Sequence, residues 1–452
     1  MKNQIQLHIG IDSTDSPNKG CTTYTGAIIV EELLKLNNTT FTDYPNLIRL
    51  NPNIPWKTRG NGAICLRIKT NEKLKEKIKQ IIIKKVLETA DLKHPQTNPT
   101  IIIYQGKISK TLKLYAEKAQ QTLITIQQAK TLAQKINAEI ITIKKEIGII
   151  GALAAIGETL ENKDYTYELL AYRTPENWGK PRKIDLQSVI LMDKLTTPYT
   201  FNNIDPETGR ILITPRGPDP VLFGIRGENP QILIKALKIL KIHEPIERWI
   251  IYRTNQGTDA HLKTINKISQ IKPYDAITIT GKITSKPKII QGGHVIITIT
   301  DGQKTIDCAI YKPTGQLTTI AKQLEPGDII QISGGAKITK NNKLTINTEK
   351  LAILKLTTII EHKNPKCPKC GKTMKSQGKN KGYKCPKCKY QTKTLTKQTK
   401  IKPRKILEAI YTPPPRAQRH LTKPLIRTGK EKHKPPTKLI QPWYWSQTLN
   451  QN

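Results

Sequence analysis

The sequence predicts a multidomain α+β protein, and three patterns carry that reading: strand–helix–strand units in the N-terminal half, five alternating strands with one short helix over 270–355, and two CxxC pairs over 362–392. At about 150 residues per domain, a chain of 452 residues leaves room for three or more such modules.

The first element is a strand. Ile5-Gln-Leu-His-Ile-Gly-Ile11 alternates apolar residues and then breaks into Asp12-Ser-Thr-Asp15-Ser-Pro-Asn-Lys19-Gly20-Cys-Thr22-Thr23. Two clustered carboxylates repel each other unless a cation shares the site, so Asp12 and Asp15 suit Mg2+, which takes oxygen ligands together with substrate phosphates. Lys19, Gly20, Thr22 and Thr23 are the residue types that approach and bond a phosphate. An Asx turn that only ends the strand is the alternative. Arg49-Leu-Asn-Pro-Asn-Ile-Pro-Trp56-Lys57-Thr58-Arg59-Gly60-Asn61-Gly62 follows, with the cations, amides and glycines of a phosphate or nucleotide clamp.

A strand at Ile64–Ile68, an amphipathic helix at Glu72–Thr89 and a strand at Pro99–Tyr104 make one βαβ unit. Val221–Ile225, a helix at Pro230–Leu240 opened by Asn229-Pro230, and Arg248–Tyr252 make another. Two such halves predict a ferredoxin-like, split-βαβ domain from 63–106 and 201–265. The stretch 107–200 is then an insertion that packs beside residues 1–62. Within it, Gly148–Gly157 reads as a closely packed buried helix in preference to a phosphate loop. The loops Pro218–Glu228 and Arg253–His261 are denser in Asn, Arg and Gly than turns require.

Over 270–355 the order is three strands, a helix at Gln316–Leu324 and two strands, the layout of an OB-fold barrel. Stacking of bases on aromatic rings is worth about 1–3 kcal/mol each, yet this stretch offers only Tyr274 and Tyr311. Cys367-Pro-Lys-Cys370 and Cys385-Pro-Lys-Cys388 have the spacing of a zinc ribbon closing a tetrahedral S4 site over 362–392. Gly371-Lys372-Thr373 mimics the end of a P-loop, but Lys366 stands where the upstream Gly should be. A basic tail, 393–452, follows.

The net charge of +40 points to a polyanionic partner. From Glu361 to Ile440 there are 24 Lys or Arg against 3 acidic residues, so half of the excess lies in under a fifth of the chain. The longest apolar run, Ile147–Ile156, is too short to span a bilayer, and no signal pattern opens the chain. The expectation is a cytoplasmic protein with no membrane partner. Seven cysteines, four of them in CxxC pairs, favour a metal site in a reducing compartment over disulfides.

Gly10-Ile-Asp-Ser-Thr-Asp-Ser, Cys21-Thr-Thr-Tyr24, the 49–62 loop and Thr97-Asn-Pro99 together resemble the archaeal tRNA-Ile 2-agmatinylcytidine synthetases. So do Gly151–Gly157, Asp219–Gly227, Arg253–Asp259 and Pro413-Pro-Pro-Arg-Ala-Gln-Arg-His-Leu421, in order over almost the whole chain. The resemblance implies an ATP-dependent carbon–nitrogen ligase. It would join agmatine to C2 of the wobble cytidine in the CAU anticodon of tRNA-Ile, so that AUA is read as isoleucine. It also implies an atypical kinase-like ATP-binding catalytic domain, 1–62 and 107–200, intertwined with the ferredoxin-like domain. Thr22 stands where the family's phosphorylated threonine lies, and Asp12 and Asp15 would be catalytic metal ligands. Lys19, Gly20, Thr23, Lys57 and Arg59 would contact ATP phosphates. Ser13 stands where the usual pattern has a second aspartate, so one negative charge is missing.

A basic protein that binds the cation agmatine needs local carboxylates, and Asp219, Glu228 and Asp259 are the rare ones in the family-like loops. The tRNA would be held by barrel, ribbon and tail, with the cytidine turned out of its stack. Two other readings fit the same charge and modules. One is a non-catalytic single-strand-binding OB-fold zinc-ribbon protein, and the other is an ATP-dependent kinase or ligase acting on another RNA. Oligomeric state is not legible.

Overall fold

The computed structural model describes residues 4–449. Its N-terminal region runs β1 (Gln4–Asp12), α1 (Thr22–Leu34), β2 (Asn46–Arg49), β3 (Gly62–Asn71), α2 (Lys75–Thr89), β4 (Thr100–Gln105), α3 (Lys110–Gln121), α4 (Ile126–Lys135) and β5 (Glu139–Thr142). It continues with α5 (Ile149–Gly157), β6 (Thr166–Arg173), α6 (Leu186–Thr196), β7 (Thr200–Phe201), β8 (Val221–Gly227), α7 (Pro230–Ile239) and β9 (Ile246–Thr254). The expected strands and helices are present. Ile78, Ile82 and Val86 give α2 one buried stripe, and the Asn229 side chain caps α7 through the Ile232 N–H.

These strands form one sheet in the order β5-β4-β1-β3-β2-β9-β6-β8-β7. Each βαβ unit encloses its own central antiparallel strand. β3 and β4 flank β1, β9 and β8 flank β6, and β2 joins the two sets by pairing antiparallel with β3 and parallel with β9. This corrects the division into 1–62 with 107–200 and 63–106 with 201–265. Each βαβ half finds its middle strand nearby in sequence, β1 for the first and β6 for the second, so the sheet divides in chain order. The intertwining survives in the packing, because residues of both sets share one hydrophobic core. α5 lies on β1 as the buried helix expected at 148–157.

The barrel strands are β10 (Ala276–Ile283), β11 (His294–Thr300) and β12 (Thr305–Ile310), then α8 (Gln316–Ala321), β13 (Ile329–Ile338) and β14 (Leu344–Lys355). They close in the order β10-β13-β14-β12-β11, with Lys282–Ile283 pairing back to Ile299–Thr300. The barrel has its own core of mainly isoleucine side chains. A two-stranded stalk, β15 (Ile359–Lys363) with β16 (Gln398–Lys402), carries the ribbon, whose small core is Cys367, Met374 and Cys385.

The tail departs from expectation. After the stalk, β17 (Ile410–Tyr411) pairs with β14, and the chain then runs back over the N-terminal region to β18 (Tyr444–Ser446), which pairs with β9. Trp443 is buried in the N-terminal core. Arg427 is fully buried and ion-paired to Glu228 and to Asp164 at 2.8 Å, and Arg416 pairs with Asp205 at 2.8 Å and Glu207 at 2.6 Å. This part of the tail is therefore a structural strap, not an RNA-binding arm. Its arginines at 416, 419 and 427 are neutralised by the fold, whereas most lysines of 363–402 stay exposed on the ribbon and stalk. No helix among the described residues is long and apolar enough to cross a membrane.

Candidate active site

The segment after β1 and the loop before β3 form a wall between two cavities. One cavity, of about 440 Å3, is lined by Asp12, Ser13, Trp56, Lys57, Thr58, Asn98 and Lys145, with apolar walls from Ile54, Leu123, Ile126, Ile147 and Ile150. The other, of about 330 Å3, is lined by Asp15, Cys21, Thr22, Thr23, Arg49, Arg59, Glu168, Arg226 and His420. Asp12 and Lys57 thus face one side of the wall, while Asp15 and Arg59 face the other.

Asp12 sits half-buried at the floor of the larger cavity, against Gly151 of α5, where a Cβ would collide with its carboxylate. Burial pushes its carboxyl up to about 8, a rise that the Ser13 N–H (2.6 Å) opposes and the nearby charge of Asp15 reinforces. No cation pairs with Asp12 among the described residues. Desolvated carboxylate chemistry of that kind fits a hard divalent cation. Asp15 is already engaged, accepting from Thr58 Oγ1 at 2.9 Å and pairing with Arg59 Nε at 3.1 Å. Ser13 has φ 60, donates its N–H to Asp12 and accepts from the Asn98 N–H through its carbonyl, which fixes the turn from backbone groups.

Thr22 begins α1, and its hydroxyl accepts from Thr14 Oγ1 at 3.1 Å. No side chain caps the helix, which leaves its first N–H groups without a side-chain partner, and Cys21, Thr22 and Thr23 line the smaller cavity. Gly20 (φ 77) turns the chain into this helix, and its carbonyl accepts from the Arg59 guanidinium. Thr23 lines the same cavity, with its hydroxyl 3.0 Å from Cys21 Sγ. Lys57 donates to the Ile54 carbonyl at 3.0 Å, and burial, then Arg419, lowers its pKa. Lys19 is different: it is exposed, pairs with Asp91 at 3.6 Å and lines neither cavity. That corrects its reading as a phosphate contact.

The three carboxylates expected to hold agmatine do not come together. Asp219 pairs with the buried Arg173 at 3.0 Å and accepts from the Gly179 N–H at 2.5 Å. Glu228 is held by Arg427 and Lys432 of the strap, and Asp259 by Lys350 of β14 and the Lys423 N–H. None of them lines either cavity. Their loops are rich in charge because they anchor the strap and neighbouring loops. The carboxylates that do line the smaller cavity are Asp15 and Glu168, the latter 3.1 Å from Arg226 Nε and 2.5 Å from Gln256 Nε2.

Sequence patterns place Arg49 only within the 49–62 clamp and single out neither Arg226 nor His420, although each stands in a family-like string. His420 comes from the strap, and its Nδ1 lies 2.6 Å from an Arg226 amino group. The Arg49 charge first, then desolvation and the Arg226 charge, lower its pKa from the usual value. In the ribbon, Cys367 and Cys388 Sγ are 3.4 Å apart, as are Cys370 and Cys385, and all four lie within 4.8 Å of one another. That cluster fits tetrahedral Zn2+, whose bonds of about 2.3 Å place sulfurs under about 4 Å apart. The barrel docks beside the larger cavity, through Asn51 Nδ2 to the Tyr274 carbonyl (2.8 Å) and Thr122 Oγ1 to Asp275 (2.7 Å).

Comparison with known proteins adds a family. Models described as the TiaS TCKD domain, the TiaS FLD domain, an OB-fold nucleic acid binding domain and the TiaS C-terminal zinc ribbon match residues 8–145, 146–261, 277–354 and 364–406. A tRNA-Ile 2-agmatinylcytidine synthetase, TiaS, of Staphylothermus marinus is 44% identical, covering 98% of this chain and 99% of that relative. One of Pyrococcus horikoshii is 44% identical, covering 94% and 98%. The crystal structure of apo TiaS is similar at TM-score 0.85 and 36% identity, over 94% of this chain and 98% of that one. That of TiaS in complex with tRNA-Ile, AMPCPP and agmatine is similar at 0.82 and 33%, over 96% and 100%.

Proposed function

The chain belongs to the TiaS family, and from that premise we propose that it is an ATP-dependent ligase joining agmatine to C2 of the wobble cytidine in tRNA-Ile, in the cytoplasm. The observation that carries the residue-level reading is the shared wall. One cavity has apolar sides, an exposed Trp56, two lysines and a desolvated Asp12, which suits ATP. The other places Thr22, a helix N-terminus and several cations where a phosphoryl group can arrive, with room for the base and the amine.

ATP lies in the larger cavity with Lys57 and Lys145 toward its phosphates. Asp12 would hold Mg2+ there, and the ion would supply positive charge against those phosphates. Past the edge of the wall, Arg59 and Thr22 Oγ1 stand where the terminal phosphoryl group can be received: the Thr22 Oγ1–P bond forms as the terminal P–O bond of ATP breaks, the nucleotide leaves with that electron pair and the hydroxyl gives up its proton. On the RNA, transfer of a phosphoryl group from ATP to the C2 oxygen, with a P–O bond of the triphosphate breaking and the rest of the nucleotide leaving, makes that oxygen a leaving group. The agmatine amine then forms the C2–N bond, the C–O bond breaks with its electron pair going to phosphate, and the amine gives up a proton. Glu168 and Asp15 are the carboxylates in the wall of the smaller cavity, and the agmatine guanidinium would share them with Arg226 and Arg59, in place of Asp219, Glu228 and Asp259. The barrel and the ribbon, with Zn2+ on its four cysteines, hold the tRNA.

Incubation of tRNA-Ile with ATP and labelled agmatine, followed by mass analysis of the wobble nucleoside, tests this reading. The expected product is a cytidine carrying agmatine, formed only with ATP. ATP turnover on RNA that does not require agmatine would point to another ligase or kinase reaction. Binding of RNA with no turnover would support the non-catalytic alternative.

A further inference from the structure

A third cavity, of about 310 Å3, backs onto the Thr22 cavity. The two share Arg216, Arg226 and His420 in their linings, so these side chains form a partition between two chambers. Beyond the partition the third cavity is lined by Arg210, Arg416 and Gln418, and no carboxylate is among its lining residues. Glu168 holds Arg226 (3.1 Å) from the Thr22 side, and Asp205 holds Arg416 (2.8 Å). Arg210 and Arg216 are exposed on the loop before β8 and make no ion pair among the described residues. Exposed, unpaired guanidinium groups facing a cavity with no acid in its walls leave a positive field with nothing internal to balance it.

The position of this chamber says which anion it meets. The strap leaves the barrel at β17, and Arg416 enters the chamber wall only five residues after Tyr411. Pro414 and Arg416 pass against Gly315, just before α8 of the barrel. An RNA seated on the barrel with one nucleotide turned into the Thr22 cavity must carry its sugar–phosphate chain past this point.

We propose that the third cavity binds a backbone phosphate adjoining the nucleotide being modified, through Arg210 and Arg216. The partition of Arg226 and His420 keeps that phosphate apart from the reacting group. This rests on the Thr22 cavity being the reacting chamber. The ligand chemistry is a phosphate group, and its second source is inorganic phosphate released from ATP.

The test is Arg210→Ala, a change at an exposed side chain without an ion pair, in the full-length protein. Binding of tRNA-Ile is measured from 50 to 200 mM salt, with Arg210→Lys and the remote α2 change Lys84→Ala alongside. Each phosphate neutralised contributes about 0.7–0.9 to the salt slope, so the Ala variant should have a slope shallower by about that amount. The ratio of parent to variant affinity should shrink about threefold over that range. Arg210→Lys should keep the slope, Lys84→Ala should match the parent, and the KM for ATP should not move in any of them. An unchanged slope in Arg210→Ala overturns the proposal. So does loss of inorganic phosphate binding, measured by calorimetry, with tRNA binding intact, because the chamber would then take the released phosphate. Labelling of Thr22 by ATP carrying a labelled γ-phosphate is followed in parallel. Its absence in the parent removes the reacting-chamber reading independently of the salt result.

Discussion

Asp12→Asn should make the protein more stable and inactive at once. The Asp12 carboxyl has an ordinary value of 3.8 and is raised by burial to about 8 in the folded chain. The folded state therefore binds a proton that the unfolded state has lost, and stability falls as pH rises from about 4 to about 8. At pH 7 the gap corresponds to at most about 4 kcal/mol, at 1.36 kcal/mol per pH unit. Solvent screening of the half-buried side chain reduces this to about 2 kcal/mol. Asparagine keeps the shape and the acceptor for the Ser13 N–H but carries no charge. For a unit the size of the N-terminal region, about 2 kcal/mol corresponds to roughly 4–8 °C in Tm. Thermal unfolding without Mg2+ or ATP should show the variant melting higher at pH 7, with the gap closing toward pH 4. Adding Mg2+ and ATP should raise the parent and leave the variant nearly unmoved, while transfer of agmatine to tRNA is lost. A variant no more stable than the parent at pH 7, or one with near-normal turnover, would refute the assignment of Asp12 as a desolvated metal ligand.

Thr22→Ala should abolish both turnover and protein labelling from γ-labelled ATP, at a folding cost of only about 1 kcal/mol for the lost Thr14 hydrogen bond. Thr22→Ser should keep both, and full activity of the Ala variant would remove Thr22 as acceptor. Chelation, or Cys385→Ser, should melt the ribbon, whose core is little more than its cysteines and Met374, and weaken tRNA binding without changing the KM for ATP. Arg427→Ala leaves Glu228 and Asp164 buried with Lys432 as the remaining cation near them, and should destabilise by about 3–5 kcal/mol. Limited proteolysis should then cut the strap first, and a variant as resistant as the parent would show that the strap docks by other contacts. Asp219→Asn should leave the KM for agmatine unchanged, since the side chain serves Arg173 and the Gly179 N–H; a raised KM would return it to the site.

Local patterning determined much of this protein. The five barrel strands and their short helix, the β1 strand running into Asp12, the helix at 149–157 and the four-cysteine ribbon are where alternation, capping and spacing put them, because each depends on residues close in sequence. Asp12, Asp15 and Thr22 were legible as neighbours for the same reason, whereas the pairing of Arg59 with Asp15 joins two segments distant in sequence. What the sequence could not decide is which distant segments meet. Strand pairing across the sheet places β1 inside one βαβ unit and β6 inside the other, and hydrophobic patterns do not encode that choice of partner. Nor does composition distinguish a cation aimed at RNA from one aimed at a buried acid. Arg427 and Arg416 resemble the lysines of the ribbon until the fold brings Glu228 and Asp205 to them. The same fold ties Asp219, Glu228 and Asp259 to partners outside the two cavities, carries His420 into the lining of the smaller one from the far end of the chain, and turns neighbouring residues of one wall toward opposite cavities. Those are consequences of long-range packing, where burial forces each charge to find a partner and only the tertiary structure says which.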